Sequence, residues 1–313
     1  MAGGMKGYLE QLLRLHWLRP ETALWRTFDC LLMEKYGAIS GRAVDLGCGD
    51  GTMSFIMAGG KIGNYDAFKD VGNLKNFNAG ADIHDQDPKS LPDIDYTGLR
   101  YEYERGFDHK DSLVKKASRF GGFYRKCVVS DLNARLDCED ESLDSGFSNV
   151  LYWLQDVDWV LSEWARIFKR GGRLHLFVPT AAFKDMAWLN YAAPHSGDRR
   201  YLNFFDRGYG SLIHHCYGTA RWIKTFQAKG FSVKDHHLYL TKPVMELWNV
   251  GTRPIAPLLI QMANMLSNEK RDQAIGEWVE YFSSFFCPIV EGEMDRRVNE
   301  SEAAFHFFVL EKS

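Results

Sequence analysis

Chemistry-bearing residues gather first at Asp45-Leu46-Gly47-Cys48-Gly49-Asp50-Gly51, where three glycines alternate with side chains directly after the apolar run Val44 to Leu46. Glycine has no Cβ, so it accepts positive φ and lets a ligand reach the backbone. Three glycines between a short strand and the helix-like run from Thr52 to Ala58 leave room for a nucleoside. Open α/β sheets bind such ligands there, at the carboxyl end of a strand. The dinucleotide fingerprint differs: its third glycine comes one residue later, and its helix N-terminus holds a pyrophosphate. Asp45, ahead of the first glycine, suits a cationic ligand better than a phosphate. A second carboxylate, Asp66, closes the run Ile62 to Asp66. Nucleoside binders place an acid at such a strand end to accept both ribose hydroxyls; a solvated strand-end aspartate is the alternative.

Several elements must hold these residues in place. Residues 5–38 carry the apolar spacing of two helices broken at Arg19-Pro20. Lys126 to Asp131, Ser142 to Asn149 and Leu174 to Pro179 read as further buried strands. Between the last two, Val157 to Lys169 has a helical period, and Arg170-Gly171-Gly172 reads as its C-cap turn. Thr219 to Gly230 is a helix with a glycine cap, leading into the alternating strand Phe231 to Tyr239; Ala304 to Leu310 is the natural last, antiparallel strand. Residues 67–122 are too long for one connection and read as an insertion. It holds an acidic patch, Asp82, His84, Asp85 and Asp87, without metal-ligand spacing. Residues 181–222 and 243–300 read as two more insertions.

The segment Asp45 to Gly51 resembles the first motif of the class I S-adenosylmethionine-dependent methyltransferases. The order of the later pieces, with a glycine-glycine turn before a Leu-rich strand, resembles their common small-molecule branch. The resemblance covers about residues 40–66 and 126–180. It implies an α/β, Rossmann-like, doubly wound sheet of seven mostly parallel strands with an antiparallel last strand. A helical cap would occupy residues 1–40 and the methyltransferase domain 41–313. It also implies S-adenosylmethionine as cofactor, leaving as S-adenosylhomocysteine. The cofactor residues would be Asp45, Gly47, Cys48, Gly49 and Gly51 under the methionine part, Asp66 on the ribose, Asp131 and Leu132 on the adenine, and Asn149 near the transferable methyl group.

The implied activity is methyl transfer to a small polar molecule, at a hydroxyl oxygen of a sugar or secondary metabolite. Residues 181–222 follow the fifth strand, where this fold puts a substrate lid. His214 and His215 are the candidate general base there, with ordinary loop hydrogen bonds as the other reading, and Tyr152 is placed to orient the acceptor. Asn149 and Asp156 alone make no carboxylate cluster, so no metal is expected. The alternative function is a cofactor-binding regulatory or interaction protein without transferase chemistry.

Composition narrows the partners. The 313 residues carry a net charge of −3 and no basic run, which disfavours nucleic acid as substrate. Six scattered cysteines contain no Cys-x-x-Cys pair, so neither zinc nor a disulfide framework is indicated and a reducing cytoplasm is expected. No apolar run reaches the ~18 residues of a membrane span. The expected partner is a small-molecule substrate; the sequence leaves the oligomeric state open.

Overall fold

The computed structural model describes residues 4–63, 65–69, 93–186, 215–249, 251–252 and 255–313. In chain order, α1 (Met5–Leu15) and α2 (Pro20–Tyr36) precede β1 (Ala43–Leu46) and α3 (Thr52–Met57). After them come β2 (Lys61–Gly63), β3 (Asp93–Asp95), β4 (Tyr103–Asp108), α4 (Asp111–Ala117), β5 (Tyr124–Val129), β6 (Leu143–Ser148), α5 (Val157–Ile167) and β7 (Phe168–Pro179). The remainder is α6 (Phe183–Met186), α7 (Thr219–Ala228), β8 (Phe231–Thr241), α8 (Lys242–Asn249), α9 (Ala256–Asn264), α10 (Asn268–Met294) and β9 (Ala303–Lys312).

Every residue of β1 is buried, as a central strand covered on both faces requires. The main sheet runs β5-β4-β1-β6-β7-β9-β8. Pairing is parallel from β5 through β7, while β9 runs antiparallel to both β7 and β8. This is the expected seven-stranded, doubly wound sheet. The strand order reverses between β1 and β6, and open sheets bind ligands at such a switch point.

The second strand of that sheet is not the expected one. The run ending at Asp66 contributes only β2, which pairs antiparallel with β3 in a separate two-stranded sheet. Its exposed–intermediate–exposed pattern cannot fill a site buried on both faces. The place beside β1 belongs to β4, whose Tyr103, Gly106, Phe107 and Asp108 are buried. Residues 103–122, expected within an insertion, are therefore core strand and helix, and the inserted segment ends before Tyr103. The acidic patch at Asp82, His84, Asp85 and Asp87 lies outside the described residues.

The Gly171-Gly172 turn also differs from expectation. Helix α5 ends at Ile167 and β7 starts at once, pairing Leu143 with Phe168 but Ser145 with Arg173. Residues 169–172 are an irregularity inside the strand, with Gly171 at φ 77°. The N-terminal helix pair breaks where the sequence reads it: Pro20 opens α2, where its missing N–H is no loss. Leu9, Leu12 and Leu13 of α1 are fully buried against α2 and α10. Of the helices between β8 and β9, α8 and α10 also pack on α2.

Candidate active site

Strand β1 ends in a loop that bends across the end of β4. The N–H groups of Gly47 and Cys48 both donate to the Phe107 carbonyl at 2.9 Å. Gly47 has φ 94°, and a Cβ there would stand 2.4 Å from Val150 Cγ2; no other residue fits. Gly49 is also left-handed, at φ 57°, but a Cβ there would meet nothing within 4 Å. The loop therefore presents bare backbone to open space at Gly49, while Gly51 begins α3.

The acid at this loop is Asp108, at the end of β4. Its Oδ2 accepts from the Gly49 N–H at 3.1 Å and its Oδ1 from the Lys110 N–H at 3.0 Å. Asp108 shares a cavity of about 590 Å³ with Gly47, His109, Asp131, Leu132, Asn133, Val150, Trp153, Leu154 and Gln155. That volume suits a nucleoside-sized ligand. Asp131 Oδ1 accepts from both the backbone and side-chain nitrogens of Asn133, at 2.8 and 2.9 Å, which hold its carboxyl below the usual range. Asn133 Oδ1 in turn accepts from the Gln155 N–H at 2.8 Å, joining the loops that leave β5 and β6. Leu132 is buried, and Trp153 is a large, half-exposed ring at the rim.

Gly47, Gly49, Asp131 and Leu132 are thus brought together, with Gly51 at the foot of the loop. Three other expected cofactor residues fall elsewhere. Asp45 is fully buried, and its Oδ2 accepts from the Tyr124 hydroxyl at 2.6 Å. Tyr124 crosses to it over Gly106, where a Cβ would lie 3.0 Å from the ring. Burial pushes the Asp45 carboxyl up to about 6. Cys48 packs beside Gly106, and burial raises its thiol far above the ordinary value. Asp66 sits against the cap: its Oδ1 accepts from Trp17 Nε1 at 3.2 Å and its Oδ2 from Arg271 Nε at 2.6 Å. Both side chains of that ion pair are almost completely buried. Asp66 therefore bolts the α1–α2 corner to α10.

Beside Val150 and Trp153 of the cavity lining, Asn149 Oδ1 accepts from the Tyr152 hydroxyl at 3.3 Å. Tyr152 is buried edge-on to Phe305, 5.7 Å between centroids. Burial pushes its hydroxyl up to about 12, so it keeps its proton. His215 Nδ1 is 3.3 Å from the Tyr217 hydroxyl, and its neighbour Cys216 acts electrostatically on Tyr152. His214 lies outside the described residues. Asp108, Asn133, Trp153 and Gln155 were not expected here. The available signal for Asp108 was a carboxylate directly after Gly106-Phe107 and shortly before the helix-like run from Asp111, the pattern of a strand end.

The sheet order and the glycine-carboxylate cavity at its switch point define a Rossmann-like methyltransferase fold. Residues 95–176, about a quarter of the chain, match the family model described as a methyltransferase domain. No curated protein matches it in sequence. Many solved structures resemble it at low identity. One is geranyl diphosphate C-methyltransferase from Streptomyces coelicolor A3(2), at 8% identity over 94% of this chain and 84% of that one, TM-score 0.45. Another is an S-adenosylmethionine-dependent methyltransferase from Mesorhizobium loti, at 14% over 87% and 90%, TM-score 0.42. A third is the YcgJ protein of Bacillus subtilis, at 15% over 91% and 98%, TM-score 0.45. Among the described residues no helix is long and apolar enough to cross a membrane.

Proposed function

We propose that the chain is an S-adenosylmethionine-dependent methyltransferase that acts on a hydroxyl oxygen of a small polar molecule, a sugar or secondary metabolite. The observation that carries the cofactor half of this reading is the cavity where Gly47 meets the carboxylates of Asp108 and Asp131, with the Gly49 N–H bonded to Asp108 at its edge. Asp108 takes the ribose role first given to Asp66: it stands at the end of the strand beside β1, and backbone N–H groups fix its carboxylate. Asp131 and Leu132 take the adenine, and the Gly47–Gly49 backbone lies along the methionine part. Bound S-adenosylmethionine supplies an electrophilic methyl group. The chain's task is to hold the acceptor oxygen in line with that carbon and keep water out.

Asn149 and Tyr152, at the end of β6, form the wall between cofactor and acceptor. Tyr152 stays protonated and, by donating to Asn149 Oδ1, fixes the Asn149 side chain. The acceptor's proton passes to an imidazole; His215 is the described candidate, and a positioned base of this kind contributes about 10²- to 10⁴-fold. The acceptor half rests on this cluster beside the cavity and on the absence of a basic surface in the sequence.

Calorimetric titration with S-adenosylmethionine, S-adenosylhomocysteine and NADH tests the cofactor, and a screen of hydroxylated acceptors with methyl-labelled cofactor tests the reaction. Binding of the two adenosyl compounds and label on an acceptor oxygen are expected. Binding of NADH alone overturns the reading, and adenosyl binding with label only on nitrogen or carbon acceptors overturns the oxygen assignment.

A further inference from the structure

Helix α2 carries an unusual set of donors close to Tyr152. Asp29 is buried, and both its oxygens are taken: Oδ2 accepts from Arg26 Nη1 and Oδ1 from the Tyr239 hydroxyl, each at 2.7 Å. This bracket fixes the Arg26 guanidinium but uses only one of its five N–H groups. Arg26 has no other hydrogen-bond partner among the described residues, and its side chain keeps 31% exposure on a helix that is otherwise mostly buried. Beside it, Trp25 Nε1 and Thr22 Oγ1 are buried without partners. Positions 22, 25 and 26 are spaced three and four apart, so they lie on one side of the helix. Native proteins rarely leave such donors unmatched, because each orphan forfeits its water bonds for nothing.

The surroundings say what would match them. Arg26 is near enough to Tyr152 for each to act on the other electrostatically, and Trp153, the next residue, lines the cofactor cavity. Trp25 stands edge-on to Trp248 at 4.7 Å and to Phe305 at 4.9 Å, and Phe305 in turn packs on Tyr152. Aromatic walls hold a flat apolar body, and a guanidinium with unused donors captures a carboxylate in bidentate fashion. We propose that the acceptor is a hydroxylated aromatic carboxylic acid, whose carboxylate is bound by Arg26 and Trp25 Nε1 while its hydroxyl faces the methyl donor. This rests on the methyltransferase reading above and narrows its substrate class.

The probes are 3-hydroxybenzoate and its neutral counterpart 3-hydroxybenzamide, titrated calorimetrically into protein saturated with S-adenosylhomocysteine. The acid is expected to bind about tenfold or more tightly than the amide, the worth of one charge-assisted pairing. Arg26→Gln is expected to remove that preference and leave S-adenosylhomocysteine affinity unchanged. Because Arg26→Gln leaves Asp29 buried without its cation, the double variant Arg26→Gln/Asp29→Asn is measured beside it, and the wild-type comparison of acid with amide needs no variant at all. Equal binding of acid and amide, no binding of the acid, or a preference that survives in a folded variant overturns the proposal. Failure of the wild type to bind S-adenosylhomocysteine overturns the underlying reading instead.

Discussion

Alanine at Asp108 and at Asp66 should have opposite consequences. Removing the Asp108 carboxylate deletes charged hydrogen bonds to the ribose, worth about 1.5–3 kcal/mol. That weakens S-adenosylhomocysteine by about 10- to 150-fold, and it also releases the Gly49 N–H that Asp108 now holds at 3.1 Å. Asp66→Ala instead strands Arg271, whose side chain is 4% exposed, and takes the acceptor from Trp17 Nε1. Breaking a buried ion pair costs about 3–5 kcal/mol, which in a chain of this size lowers the melting temperature by on the order of 10 °C. Calorimetric titration at low temperature and scanning calorimetry read the two quantities separately. Asp108→Ala should lose affinity with a modest change in melting, and Asp66→Ala should lose stability with affinity within about twofold. A folded Asp66→Ala protein that binds S-adenosylhomocysteine tenfold more weakly, or an Asp108→Ala protein that binds normally, refutes the assignment.

Gly49→Ala puts a Cβ on a residue at φ 57° and into the open face of the loop; we expect about 1–2 kcal/mol of destabilisation and a larger loss of cofactor affinity, read by denaturant titration and calorimetry. Equal affinity would remove Gly49 from the cofactor path. Asp45, held near 6 by burial, favours the protonated form in the folded state. Its contribution is therefore full below about pH 4 and is lost as pH rises through 6, by about 3 kcal/mol. Asp45→Asn should flatten that slope in urea midpoints taken between pH 4 and 7; an unchanged slope would contradict it. His175 has the opposite sign. Its Nε2 accepts from the Ala38 N–H at 3.1 Å, so Nδ1 donates to the Gly146 carbonyl at 3.0 Å, and burial lowers the ring to about 4. This neutral ring contributes stability above pH 6.5 that is lost as pH falls toward 4, again about 3 kcal/mol. The stability gap between wild type and His175→Gln should narrow across that window, and a constant gap would show that the ring does not titrate there.

Local sequence determined the parts whose signal is complete over a few residues. The glycines after β1 announced a tight turn with bare backbone because positive φ and a missing Cβ are properties of single residues. The apolar runs at β6, β7 and β9 announced buried strands, and Pro20 marked the start of α2. Asp131-Leu132 followed from its place just after β5, although that edge strand is mostly exposed rather than buried as its sequence suggested. Tertiary structure decided which strand lies beside β1. A long insertion separates α3 from β4, and the first short strand after the glycine loop is β2, which is exposed and pairs only with β3. Spacing along the chain therefore pointed to Asp66, while the pairing of β1 with β4 puts Asp108 against the glycine loop. The same holds for Asp45, whose turn toward Tyr124 depends on the gap over Gly106 in a neighbouring strand. Arg271, far along the chain in α10, gives Asp66 its structural role. Residue type and local pattern fix what a side chain can do; which partner it meets depends on sheet order and cap packing, which bring together residues that no local window contains.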